Sequence, residues 1–255
     1  MIHATAIVDP KAELDSSVTV GPYSIIGADV QIGAGTVIGP HAVIKGPTTL
    51  GKNNKVFQFA TLGEDCQDLK YAGEPTRLEV GDNNVFREST TIHRGTVQDN
   101  GITKIGDNNL IMINVHIAHD CVVANNCIFS VGATIAGHVH IGDHAILGGL
   151  CAIHQFCHIG AHSFIGGGAI ILRDLPPYVM LGNDGKPHGI NSEGLRRRGY
   201  SSEAIMAIKR AYKVIYRQGN KSTEAVEIMR EMAKDIPEIT VMADFVANSP
   251  RGLIR

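Results

Sequence analysis

Aliphatic side chains recur along this chain at every sixth residue. Stepping by six from Ile2 gives Val8, Leu14, Val20, Ile26, Ile32, Ile38, Ile44, Leu50, Val56 and Leu62. A polar stretch interrupts the series, which resumes in the same phase at Val80, Phe86 and Ile92. A second interruption, around Val97 to Lys104, shifts the phase by one, and the series then runs unbroken from Ile105 to Ile171. Of these 26 positions, 24 are Ile, Val or Leu and two are Phe. Neither an amphipathic helix nor strand alternation has a period of six. The pattern predicts a parallel β-helix, in which short strands and turns coil around an aliphatic core. Each coil then lies on the last at the strand spacing of about 4.8 Å.

The residues between the aliphatic positions fill in the picture. The fourth position after each repeat start is mostly small, as at Ala6, Ala12, Ser24, Thr36 and Ala42. The first is often glycine, as at Gly21, Gly27, Gly33, Gly39 and Gly51, which reads as a turn residue tolerating positive φ. These hexads resemble the left-handed hexapeptide family, in which three repeats make one triangular coil of eighteen residues. The hand is implied by that resemblance alone, since the general crossover rule favours the opposite one. All five cysteines, Cys66, Cys121, Cys127, Cys151 and Cys157, fall at the fourth position. They read as small core residues. With no Cys-x-x-Cys spacing and no targeting segment, neither a disulfide nor a cysteine metal site is indicated, and the compartment implied is the reducing cytoplasm.

The repeat stops after Asp174-Leu175-Pro176-Pro177. Ser201-Ser202-Glu203 opens a helical pattern carried by Ile205, Ile208, Ala211, Tyr212 and Ile215 and ending near Gly219. Ser222 and Thr223 offer caps for a second helix, and Val241 to Ala247 reads as a third. The expected organisation is mainly β: a β-helix over residues 1–177 with external loops at about 65–79 and 97–104, then a C-terminal α-helical domain over 178–255. An open β-helix end exposes strand edges and core, so helices there serve as a cap.

Composition agrees with a narrow core. The chain has 255 residues, with 30 isoleucines, 29 glycines, 5% aromatics and no tryptophan. A net charge of −2 excludes the strong basic excess of a nucleic-acid binder. No stretch approaches the roughly 20 apolar residues of a membrane span.

Nine of the twelve histidines lie between His93 and His162. On an eighteen-residue coil His119 lies under Gly137 and Gln155, Asp120 under His138, and His154 over Ala136. His116 falls near the same edge. Imidazoles clustered beside a carboxylate make a candidate acid–base site, because histidine titrates near neutrality. Neutral imidazole is also a common zinc ligand, so a zinc enzyme of the carbonic-anhydrase type is an alternative. A scaffold without catalysis is another, although it gives the cluster no purpose. His140 with His158, and His144 with His162, read as plain surface stacks. Interruptions of a solenoid map to loops, often on the binding face. The first, Asp65 to Arg77, carries Lys70 and Arg77, which suit either phosphate or carboxylate binding or a solvated loop. The run Arg196-Arg197-Arg198 suits either a diphosphate or a solvated helix start. Lys209, Arg210, Lys213 and Arg217 form a basic helical face that suits either an acidic partner or solvent.

Several runs identify a family. Gln67-Asp68-Leu69-Lys70-Tyr71-Ala72-Gly73-Glu74-Pro75-Thr76-Arg77, Ile92-His93-Arg94-Gly95-Thr96, His116-Ile117-Ala118-His119-Asp120, Ala136-Gly137-His138, His154-Gln155-Phe156 and Glu193-Gly194-Leu195-Arg196-Arg197-Arg198-Gly199 closely resemble those of the acyl-carrier-protein:UDP-N-acetylglucosamine O-acyltransferases. The resemblance covers essentially the whole chain. It implies the first step of lipid A biosynthesis: transfer of a 3-hydroxyacyl chain from acyl carrier protein to the glucosamine 3-hydroxyl, without a cofactor or a covalent enzyme intermediate. It implies His119 as general base, Asp120 as its support and the Gly137 N–H as oxyanion donor. Gln67, Asp68, Lys70, His116, His138, His154 and Gln155 match positions that contact the sugar nucleotide or thioester, and Asn191, Glu193 and Arg197 match positions near the uracil and phosphates. Gly167 matches the position that sets acyl-chain length; as glycine it implies a long groove of about the myristoyl class. A homotrimer with clefts between neighbouring coils is implied as well. The Gly182-Asn183-Asp184-Gly185-Lys186 segment is shorter than the family pattern, with Asp184 in place of a histidine. A related N-acyltransferase carries an additional N-terminal domain, whereas the repeat here begins at Ile2.

Overall fold

The computed structural model describes all 255 residues. Two- to four-residue strands stack into three long sheets of nine, eight and ten strands, and up to Ile171 each strand pairs with the one three elements later in the chain. In the first sheet His116↔Thr134 and Ile117↔Ile135 are typical partners, eighteen residues apart and parallel. The first sheet runs from Ile7–Val8 to Ile170–Ile171, the second from Glu13–Leu14 to His158–Ile159, and the third from Thr19–Val20 to Pro187–Ile190. Together they form a triangular prism.

Of the 26 aliphatic or Phe repeat starts, 23 are buried, and Ile92, Ile111, Ile117 and Ile135 are inaccessible. The exceptions, Ile2, Val8 and Leu14, lie at the N-terminal end, where no coil covers them. Burying one such side chain contributes roughly 1.5–3 kcal/mol. A run of asparagines inside the prism is paired between coils. Buried Asn54 accepts from the Asn84 N–H (2.9 Å), Asn84 from the Asn109 N–H (2.9 Å) and Asn109 from the Cys127 N–H (2.8 Å), so each amide replaces a backbone acceptor lost at the corner.

The corners correct the expected role of glycine. Positive φ falls at the third position, on Tyr23, His41, Asn53, Asn83 and Asn108, not on the first-position glycines. Asn, Asp and His tolerate the left-handed region better than most residues. The first position needs glycine for a different reason. A Cβ on Gly21 would lie 2.7 Å from Pro40 N, and one on Gly33 would lie 2.8 Å from Gly51 C, in the coil above.

The first external loop is shorter than the sequence pattern indicates, spanning 65–76, and the second lies three residues earlier, spanning 94–101. Their expected final residues are strands instead. Arg77–Val80 pairs in register with Ile102–Ile105, with Leu78 and Thr103 inside and Lys104 outside.

Past Ile171 the prism is closed by its own chain. Val179–Leu181 adds to the third sheet beside Phe164 and Ile165, so strand pairing continues beyond residue 177. Four helices follow: α1 (Ser192–Arg197), α2 (Ser202–Tyr216), α3 (Ser222–Met232) and α4 (Glu238–Ala247). Ser201 caps α2 through the Ala204 N–H, as expected. α3 begins at Ser222 itself, with Lys221 in the cap position and the Glu224 carboxylate accepting the Lys221 N–H. α4 starts three residues earlier than the apolar pattern indicates, because Pro237 sets up its first turn. One apolar cluster of 58 buried residues runs from the coils into α2, α3 and α4, so the helices cap the open core. Buried Asp174 fastens the tail, accepting from the His158 N–H, Ser249 Oγ and the Arg251 N–H.

Candidate active site

The corner between the first and second sheets carries Ala118-His119-Asp120, then Ala136-Gly137-His138, then His154-Gln155-Phe156 on successive coils. Four of these residues are in direct contact. His119 Nδ1 lies 2.8 Å from Asp120 Oδ2, and the His119 and His138 rings meet edge to face at 5.0 Å. The backbone of Gly137 lies over the His119 ring so closely that a Cβ would fall 2.7 Å from Nε2. Gly137 is itself buried, and its N–H donates to no acceptor in the chain.

Asp120 is almost wholly buried, yet well satisfied. It takes the positive φ of the corner, and its N–H donates to Thr103 Oγ1 at 2.8 Å. Oδ1 accepts from the Thr96 N–H (2.8 Å), and Oδ2 from Thr96 Oγ1 (2.6 Å) and from His119. Burial works to raise the carboxyl, but these hydrogen bonds and the nearby His138 hold it below the ordinary aspartate value. An ionised Asp120 can only accept, which places the His119 proton on Nδ1 and leaves Nε2 with a free lone pair. His119, Asp120 and His138 are also the set that could hold a metal ion, with ligand atoms within 4.8 Å of one another. Both Asp120 oxygens are already engaged by Thr96 and His119, so a metal would have to displace those bonds.

His116, one strand before His119, bonds Thr91 Oγ1 at 2.8 Å and meets the buried His93 ring edge to face at 4.9 Å. Burial, with His93 and His119 nearby, pushes His116 down to about 4, so it is a neutral hydrogen-bonding group at neutral pH. The first loop reaches this point through Gln67, whose Nε2 lies 3.4 Å from His116 Nε2. Arg94 holds that loop in place through Gly63 O (2.5 Å), Tyr71 Oη (3.0 Å) and the Asp65 carboxylate. Within the loop the Asp68 carboxylate accepts the Lys70 N–H, and both residues are exposed. His154 and Gln155 are exposed on the coil above, with His154 Nδ1 against the Gln155 carbonyl at 3.0 Å.

The other expected contacts lie elsewhere. Asn191 caps α1, accepting the Gly194 N–H and donating to His162 O at 3.0 Å. Glu193 pairs with Arg196 and Arg197 along the exposed face of α1, while Arg198 turns inward to His144 O. Gly167 sits at the corner between the third and first sheets, where a Cβ would come 3.2 Å from Gly149 O. Arg77, read as a possible anion ligand, bonds Glu79 at 2.7 Å. Asp184 pairs with His188 at 2.9 Å. The expected surface stacks form, with His140 on His158 at 4.5 Å and His144 on His162 at 4.8 Å. Sequence reasoning quoted Thr96 only as the end of a family run, without a role, and missed Asp99 and Thr103; all three reach the site from around the second interruption. Open grooves of 640 and 700 Å³ lie away from His119, on the second sheet beside Lys104 and under the C-terminal tail.

Two half-buried histidines set an acid limit on stability. Burial pushes His162 down to about 4, as it does His116. Unfolded, each holds its proton up to the ordinary 6.5, so between pH 6.5 and 4 the unfolded chain binds more protons. Their contribution is fully present above pH 6.5 and is lost as pH falls through the folded value. Melting temperatures should therefore drop steadily from pH 7 to 4, and His162→Gln should flatten the fall. An unchanged slope in that variant would refute the assignment.

A prism of hexads with a histidine–carboxylate pair on one corner fits a hexapeptide transferase, and the bacterial transferase hexapeptide family model matches residues 11–46 and 102–137. A second model, described as UDP N-acetylglucosamine O-acyltransferase, domain 2, matches residues 174–254. The acyl-[acyl-carrier-protein]–UDP-N-acetylglucosamine O-acyltransferase of Thiobacillus denitrificans is 56% identical over 100% of this chain and 99% of its own, and that of Pseudomonas paraeruginosa is 55% identical over the same shares. Among solved structures, LpxA of Acinetobacter baumannii superposes with a TM-score of 0.98 at 51% identity, covering 100% of this chain and 99% of its own. The enzyme of Moraxella catarrhalis gives 0.98 at 48%, with the same coverage. The chain belongs to the acyl-[acyl-carrier-protein]–UDP-N-acetylglucosamine O-acyltransferase family, and its coils form the left-handed parallel β-helix of those structures.

Proposed function

We propose that this protein transfers a 3-hydroxyacyl chain from acyl carrier protein to the 3-hydroxyl of UDP-N-acetylglucosamine, the first step of lipid A biosynthesis, with His119 as general base. The observation that carries the reading is the stacked trio: Asp120 on His119 Nδ1 at 2.8 Å, and Gly137 over His119 Nε2. His119 Nε2 takes the proton of the sugar hydroxyl as its oxygen attacks the thioester carbonyl. The tetrahedral oxyanion accepts the Gly137 N–H, a donor of a kind whose loss costs roughly 3–4 kcal/mol in acyl transfer. Collapse breaks the C–S bond, and the His119 imidazolium returns its proton to the departing thiolate. Asp120 keeps the ring in the correct tautomer and stabilises the imidazolium.

No enzyme nucleophile is required. The thiols of Cys121 and Cys127 are buried and pushed up to about 12, which suits core residues and not attack on a thioester. Gln67, Asp68, Lys70, His116, His138, His154 and Gln155 lie on this corner or on the first loop and are assigned to the sugar nucleotide and thioester; Asn191, Glu193 and Arg197 are assigned to the uracil and phosphates. Because His119 sits on a convex corner, a second wall is needed, and a homotrimer supplies it from a neighbouring coil. Gly167 leaves room for a chain of about the myristoyl class. No helix is long and apolar enough to cross a membrane, and the reading places the enzyme in the cytoplasm, where acyl carrier protein is found.

The test is an acyl-transfer assay with UDP-N-acetylglucosamine and carrier proteins bearing 3-hydroxyacyl chains of graded length. The expected product is the 3-O-acyl sugar nucleotide, formed fastest near fourteen carbons as the family resemblance implies. No product with any chain, or activity that depends on stoichiometric zinc, would overturn the reading.

A further inference from the structure

The second external loop does more than leave the coil. Its turn closes on Thr96 O, which accepts the Asp99 N–H (3.2 Å) and the Gly101 N–H (3.0 Å). The root of this turn holds Asp120 through Thr96, and its tip holds His138: Asp99 Oδ2 lies 2.9 Å from His138 Nδ1, while Oδ1 accepts from Asn100 Nδ2 at 2.8 Å. One short turn therefore grips both the partner of the base and the neighbouring imidazole.

His138 stands between two carboxylates. Asp99 is at bonding distance from Nδ1, whereas Asp120 Oδ2 is 3.8 Å from Nε2. The ring cannot easily swing away, since it stacks on Phe156 at 4.5 Å and abuts His119. Asp120 Oδ2 already accepts two hydrogens, from Thr96 Oγ1 and His119 Nδ1, which uses both of its lone pairs. A proton on His138 Nε2 would compete with His119 for that oxygen. In a neutral imidazole only one nitrogen carries the proton, and its hydrogen-bond partner selects which.

We propose that Asp99 is a positioning residue for the transfer reaction: by accepting the His138 Nδ1–H it strips the proton from Nε2, reserves Asp120 for His119, and leaves His138 Nε2 as an acceptor beside the base. This rests on the reading of His119 as the base. Asp99 touches neither substrate nor reacting atoms, and acts only through His138.

The experiment pairs steady-state kinetics with long-range ¹H–¹⁵N spectra of the full-length protein labelled at histidine, the His138 signals being assigned by their loss in His138→Asn. In the parent, His138 is expected as the Nδ1–H tautomer. Asp99→Ala should move it to Nε2–H and lower kcat about tenfold, less than the roughly 100-fold of a catalytic group displaced by an ångström, with KM for UDP-N-acetylglucosamine within about twofold. Asp99→Asn, whose amide oxygen still accepts from Nδ1, should restore the parent tautomer and most of kcat. A parent His138 that is Nε2–H or doubly protonated at assay pH would overturn the proposal. So would an Asp99→Ala protein with unchanged tautomer or unchanged kcat, or a failure of Asp99→Asn to rescue. His119→Ala, assayed in parallel, separates the two readings: full activity there removes the base assignment, while the tautomer of His138 still judges Asp99.

Discussion

Replacing His119 with alanine should leave a folded protein whose acyl transfer falls by about 10³-fold, within the range that a general base contributes. The fold has little to lose. The ring makes one side-chain hydrogen bond, to Asp120, and that carboxylate keeps both of its bonds to Thr96. The apolar interior beneath, at Ile117 and Ile135, is untouched. Because a base acts as the sugar oxygen develops charge, the loss should fall on kcat and leave KM nearly unchanged. Asp120→Asn should cost less activity but more stability, since an amide cannot accept at both oxygens from three donors in a buried corner. Measuring kcat, KM and the melting temperature of the His119 variant is sufficient. A variant that turns over at the parent rate would remove His119 from the chemistry.

Most of the architecture was legible because a narrow coil admits one large side chain per hexad. The period therefore named Ile26, Ile44, Ile111 and Ile135 as core residues directly. Where the prism is open, the same pattern overstates burial, as at Ile2. The first-position glycines were recognised for the wrong reason, because contact between coils is invisible until the stacking distance is known. The buried amides of Asn54, Asn84 and Asn109 gave no apolar signal at all; only their recurrence at the fourth position marked them.

The site divides in the same way. Residues eighteen apart lie one above the other, so His119 under Gly137 and Asp120 under His138 followed from counting. Counting fails in an interruption, where the register is lost. That is why Thr96 received no role and Asp99 and Thr103 escaped notice, although they hold Asp120 and His138. The available clue was turn chemistry: Thr96 and Asp99, three residues apart, stand just where the phase breaks. For α1 the motif was visible but its internal use was not, since Asn191 spends its side chain on a cap and Glu193 on two arginines. The identity of the substrate was never in the period; it came from resemblance.

Gly137→Ala should lower kcat about 100-fold, the effect expected when a catalytic group is displaced by an ångström. The added Cβ would stand 2.6 Å from His119 Cε1, 2.7 Å from Nε2 and 3.2 Å from Nδ1. Gly137 does not adopt a positive φ, so the backbone itself accepts alanine and the effect is steric. The ring can yield only by breaking its bond to Asp120 or pushing into His138, which already abuts it at 5.0 Å between centroids. Alanine keeps the backbone N–H, so the proposed oxyanion donor remains and the loss reports on displacement of the proposed base. Gly27→Ala is the matched control, since its nearest new contact is Ile44 O at 3.4 Å, an ordinary separation far from His119. The decisive comparison is a double-mutant cycle. Without the imidazole the new methyl group has room, so adding Gly137→Ala to His119→Ala should cost almost nothing further, and the two losses should be strongly non-additive. Losses that simply add would mean that Gly137 does not act through His119, and activity within about twofold of the parent would mean that the contact is not maintained during turnover.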